Sequence, residues 1–76
     1  RRAYIVAARR SAMAEGSCGC IFASLSFEQF ARELVGDDGS SLSGDDLDAM
    51  RAFRREHEDE VDAQYRVHRR ELCGKP

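Results

Sequence analysis

Apolar residues recur at helical spacing in three stretches of this chain, and the stretches differ in kind. Residues 1–15, RRAYIVAARRSAMAE, contain neither Gly nor Pro. Tyr4 or Ile5, Ala8, Ala12 and the neighbouring Met13 mark an apolar side there, with Arg on much of the rest. Gly16 stands where a helix commonly ends in a glycine. In residues 25–36, Phe27, Phe30, Ala31, Leu34 and Val35 follow the i, i+3, i+4, i+7, i+8 pattern of a helix with one buried face. Ser26 can cap that helix, with Gln29 three residues on completing a capping box and Leu25 and Phe30 placed as a hydrophobic staple. Gly36 closes it.

The same start signal recurs after the polar turn DDGSSLSG. Ser43 is the expected N-cap, Asp46 the third helical residue, and Leu42 and Leu47 the staple. Asp45, Asp46 and Asp48 fall in the first turn, where the helix dipole favours negative charge. From there a stripe of Leu47, Met50, Phe53, His57, Val61, Tyr65, His68 and Leu72 runs at a period near 3.6 residues. Arg54–Glu58, Arg55–Asp59 and Asp62–Arg66 are spaced as i,i+4 ion pairs on its other faces. The expected architecture is all-α, one small domain over residues 1–76. It comprises a helix at about 1–15, a loop at 16–25 with Ile21 and Phe22 as an apolar plug, and a helix at about 27–35. An acidic turn at 36–43 and a long helix at about 44–72 complete it, with the two shorter helices packed on the long one.

Length turns this into a question about cover. A helix of 28 residues spans about 42 Å, whereas the shorter two span about 21 and 14 Å. Phe27, Phe30, Leu34, Leu47, Met50 and Phe53 are the expected core. The distal stripe of Val61, Tyr65, His68 and Leu72 then needs a cover of its own. Another chain, the first helix, or a break in the long helix near His57–Glu60 would each resolve this, and docking of a partner is the expectation carried forward. Composition points the same way. Of 32 hydrophobic residues ten are Ala, leaving 22 larger ones, and a chain this short buries only about 60% of its unfolded surface.

Charge and cysteines narrow the chemistry. The net charge is −2, so the whole chain is no polyanion binder by charge. Arg1, Arg2, Arg9 and Arg10 are gathered in the first helix, and Asp37, Asp38, Asp45, Asp46 and Asp48 in the acidic stretch. A basic first helix can touch phosphates, but it can also present a solvated face or pair with the Asp-rich segment. Nucleic acid is not the expected partner. The acidic first turn of the long helix would repel phosphates in a helix-turn-helix arrangement. No apolar run approaches the length of a bilayer span. The compartment is not read from the sequence. The chain starts Arg1-Arg2, which is compatible with a cleaved targeting sequence before it.

Cys18, Cys20 and Cys73 are an odd number. Either of the first two could bridge to Cys73 and tie the chain's end to its first loop, but reduced, partly buried thiols are the expected state. Together with a histidine the three cysteines are ligands of the right type for tetrahedral zinc. The Cys-x-Cys spacing departs from the usual Cys-x-x-Cys knuckle, so no metal or other cofactor is expected. His57-Glu58 opens an HExxH pattern, but position 61 is Val. His57 and His68 lie about 16 Å apart along one helix and cannot share a metal; each could make association pH-sensitive. No nucleophile elbow or phosphate loop is present, and the chain is not expected to be an enzyme.

Ser24-Leu25-Ser26-Phe27-Glu28-Gln29-Phe30 resembles the end of an EF-hand loop and the start of its exiting helix, and Ser41-Leu42-Ser43-Gly44-Asp45-Asp46-Leu47 echoes it. In the first segment the ligand positions fall on Cys18, Cys20 and Phe22, and the last on Gln29; in the second only Asp37 and Asp46 match. Calcium needs several oxygen ligands in one loop, so no calcium site is expected. The expected function is a non-enzymatic helical interaction or assembly subunit. It would dock a protein partner or a second copy through Val61, Tyr65, His68 and Leu72. A small zinc-stapled or nucleic-acid-associated regulator using Cys18, Cys20, Cys73 and the Arg-rich helix is the alternative.

Overall fold

The computed structural model describes residues 2–73. They form four helices: α1 (Arg2–Glu15), α2 (Ile21–Ser24), α3 (Phe27–Val35) and α4 (Gly44–His68), with a π-helical turn at Arg69–Cys73. The long C-terminal helix carries the shorter ones, as its hydrophobic stripe predicts. It is continuous through His57–Glu60. Within the expected loop at 16–25, one helical turn appears as α2. Four residues are too few to show a 3.6-residue period, and its cap, Cys20, supplies no side-chain hydrogen bond.

The first helix is the centre of the packing. It contacts α2, α3 and α4. Ala3 and Ala12 are nine residues apart, about two and a half turns, so they emerge on opposite sides of α1. Both are buried, as are Val6, Ala7 and Ala8. An Ala side chain lets a neighbouring backbone approach closely, and α1 needs that on more than one side. Ala3 and Ala7 join Phe30, Ala31 and Met50 in one core cluster. On another side, the Tyr4 hydroxyl donates to the Leu25 carbonyl at 2.7 Å and Ser11 Oγ to the Ser24 carbonyl at 3.4 Å, fastening α2 and its exit. Toward α4, Arg2 meets Glu58 at 3.9 Å and Arg9 meets Asp62 at 2.8 Å. The first helix therefore lies along the distal half of α4 and supplies the cover that the long helix needed. Val61 is 2% exposed as a result.

The expected core is only partly the observed one. Phe30 and Met50 are buried, while Phe27, Leu34 and Phe53 pack against them half-buried. Leu47 is 41% exposed, and Phe22 is a rim residue rather than a plug. Rings link the layers: Tyr4 lies 5.4 Å from Phe22, 5.6 Å from Phe27 and 6.0 Å from Phe30. Of the anticipated ion pairs, Arg54–Glu58 forms at 3.1 Å. Asp62 turns to Arg9 instead of Arg66, and Arg55–Asp59 is not an ion pair among those observed in residues 2–73.

Both capping boxes are present. Gln29 N–H donates to Ser26 Oγ at 3.1 Å, and Ser26 N–H to Gln29 Oε1 at 3.0 Å. Asp46 N–H donates to Ser43 Oγ at 3.1 Å, and Ser43 N–H to Asp46 Oδ2 at 3.0 Å. These caps account for the likeness of the two segments to each other. Between them, Gly39 adopts φ +92° with Phe27 beneath it, so that a Cβ there would meet Phe27 Cε2 at 2.5 Å. Hydrogen bonds from the Ser40 side chain and N–H hold the Asp38 carboxyl below its ordinary value.

Two outcomes follow from this packing. Ala12→Leu should destabilise the fold by about 1–3 kcal/mol by overpacking, whereas Ala63→Leu, on the exposed face of α4, should change stability by no more than about 0.5 kcal/mol. Ser26→Ala and Ser43→Ala should each cost about 1 kcal/mol, read as shifts in the urea midpoint.

Candidate functional site

The end of α1 and the end of α4 meet at one corner of the molecule. Gly16, at φ +68°, turns the chain out of α1. The Ser17 N–H still donates to the Ala12 carbonyl at 2.9 Å, which aims the Ser17 carbonyl across the gap. His68 Nε2 donates to that carbonyl at 2.8 Å, which places the proton on Nε2, and the residue is 8% exposed. One residue further, Cys18 forms a disulfide with Cys73, with Cα atoms 5.4 Å apart and a sequence separation of 55. The thiols are therefore not all reduced: Cys20 alone is free, and it is exposed. Arg69 donates to the Cys18 carbonyl at 3.4 Å and adds a further link.

The π-helical turn is what joins His68 to Cys73. In a regular α-helix, residues five apart are about 140° apart around the axis. Widening the turn brings position i+5 back over position i, and Cys73 Sγ lies 3.6 Å from His68 Nε2. Cys18, His68 and Cys73 thus present one sulfur, one imidazole nitrogen and a second sulfur, all within 4.8 Å of one another. Spacing alone could not reveal this group, because a straight α-helix places Cys73 off the His68 face, and because nothing in the sequence chooses Cys18 over Cys20.

The four residues expected to dock a partner are divided between two roles. Val61 and His68 are buried within the chain itself, against α1 and the loop that follows it. Tyr65 is half-buried, stacked on His68 at 5.9 Å with the Arg9 guanidinium 5.4 Å from its ring centroid. Leu72 is 65% exposed. His57 sits 4.7 Å from the Phe53 ring. Arg2 and Arg9 engage Glu58 and Asp62, and Arg10 lies 5.2 Å from the Phe53 ring centroid. These arginines thus pair with α4, not with the Asp-rich segment at 37–48. On the other side of α1, Tyr4, Ile5, Phe22 and Phe27 line an open, mainly apolar groove of about 550 Å³, with Phe22 49% exposed at its edge. Among the described residues, no helix is long and apolar enough to cross a membrane.

Compared with known proteins, the chain matches no family model, no curated protein and no solved structure.

A cross-link closing a loop of this length should contribute about 4 kcal/mol by restricting the unfolded chain, a large share of a small domain's stability. Cys73→Ser should therefore lower the unfolding free energy by roughly 2–5 kcal/mol in denaturant titration, while Cys20→Ser should leave it nearly unchanged.

Proposed function

We propose that this chain is a non-enzymatic helical interaction or assembly subunit, and that it engages an apolar side chain of a protein partner in the groove beside Phe22. The observation that carries this reading is the exposure of Phe22 next to Tyr4, Ile5 and Phe27. A small chain short of large apolar residues leaves an aromatic ring in solvent, on a helix turn fastened to α1 by two hydrogen bonds. Aromatic residues, Phe among them, are enriched at the core of protein interfaces.

A second surface is favoured by one specific observation. Leu72 belongs to the distal stripe of α4 and is the most exposed large apolar residue, beside the half-buried Tyr65. A partner docking there would meet Leu72 and the edge of Tyr65, with Val61 and His68 serving behind them to hold α1. The nucleic-acid alternative is weakened by the engagement of Arg2, Arg9 and Arg10 with α4.

Phe22→Ala should weaken association at least about tenfold and leave the circular-dichroism spectrum unchanged, because the ring is half outside the core. Sedimentation equilibrium tests self-association, and quantitative co-purification tests a different protein partner. Leu72→Ala in parallel identifies the surface. If neither substitution alters the sedimentation behaviour or the co-purified material, the interaction reading fails.

A further inference from the structure

We propose that the Cys18–His68–Cys73 corner is a zinc site gated by reduction: a disulfide in oxidising surroundings and, once reduced, a two-sulfur, one-nitrogen site for a soft divalent cation. The geometry carries the argument. Tetrahedral zinc with Zn–S near 2.3 Å and Zn–N near 2.0 Å requires sulfur and nitrogen ligands about 3.6 Å apart. Cys73 Sγ and His68 Nε2 are already 3.6 Å apart. The Cys18 sulfur is within 4.8 Å of both groups, so a small opening of the reduced pair admits the ion. The ligands come from the loop after α1 and from the end of α4, and are positioned by the Gly16 turn, the last turn of α4 and the π-helical turn. Reduction removes the cross-link, and the bound ion would tie the same two segments together in its stead. Three protein ligands leave the fourth position to water, as in open zinc sites. Cys20 is exposed and outside the group.

The steps balance. A dithiol reductant donates two electrons and two protons to the Cys18–Cys73 bond, is itself oxidised to a disulfide, and leaves two thiols. Zn²⁺ then displaces one proton from each thiol. His68 releases the proton that Nε2 donates to the Ser17 carbonyl and takes one at Nδ1, freeing the Nε2 lone pair for the metal. Binding thus releases two protons in all and exchanges one hydrogen bond for a metal bond.

The test uses the full chain, reduced with a phosphine that does not compete for metal, and Co²⁺ as the probe. A thiolate-to-cobalt absorption band should rise and saturate at one ion per chain. Zn²⁺ should displace it, and the oxidised chain should show none. His68→Ala should weaken binding by more than the roughly 10–100-fold that loss of an outer-shell partner costs, and Cys20→Ser should leave it unchanged. X-ray absorption of the zinc-loaded wild-type chain, which does not depend on any variant folding, should report two sulfur and two nitrogen or oxygen neighbours, one of them imidazole. Absence of a saturable band in the reduced chain overturns the proposal. So does a three-sulfur shell, or a site that depends on Cys20 and not on His68.

Discussion

Close packing of α1 on several sides at once is the constraint on which the rest of this structure depends. A chain with few large apolar residues cannot surround a central helix with bulky side chains. It instead uses a helix whose buried residues are mostly alanines, so that the neighbours approach its backbone. Ala3, Ala7, Ala8 and Ala12 are each less than a tenth exposed, and they occupy different sides of the helix. Val6, at 1% exposure, is the one larger side chain sealed completely. Such an arrangement gains dispersion contacts from close approach, and it tolerates added volume poorly.

The charged residues of α1 complete that packing. Arg2, Arg9 and Arg10 would otherwise interrupt the contact with α4. Their aliphatic stems can lie along it while their head groups find Glu58, Asp62 and the rings of Tyr65 and Phe53. These pairs are partly exposed, so each is worth little alone. Their effect is to select one placement of α1 along the long helix. The Cys18–Cys73 bond and the His68–Ser17 hydrogen bond then fix the far end of the same interface. Stability and candidate chemistry therefore meet at one corner, where the link between the loop after α1 and the end of α4 is also a group of possible metal ligands.

Marginal core size also explains what stays outside. With α1 and the loop after it covering Val61 and His68, and α3 with its flanking residues covering Met50, the exposed large apolar residues among those described are Phe22, Leu47, Val67 and Leu72. Phe22 among them shares a groove with Tyr4, Ile5 and Phe27. There the ring of Tyr4 lies between the exposed Phe22 and the buried Phe30, at 5.4 and 6.0 Å, and joins the groove to the core.

Local signals by themselves determined the helical class, the two capping boxes, the glycines that end α1 and α3, and the start of the long helix, though not its change to a π-helical turn after His68. Each depends on residues within about one turn of one another, and their hydrogen bonds are made locally. The stripe from Leu47 to Leu72 likewise announced a long helix in need of cover. Only the tertiary structure decided what covers it. Alanines on opposite sides of α1 carry too little hydrophobic contrast to show two buried faces, so the central role of that helix was not legible. The same holds for the Cys18–His68–Cys73 group. It requires a choice between Cys18 and Cys20 and a widened turn at Arg69–Cys73, and both are settled by where two segments 55 residues apart come to rest.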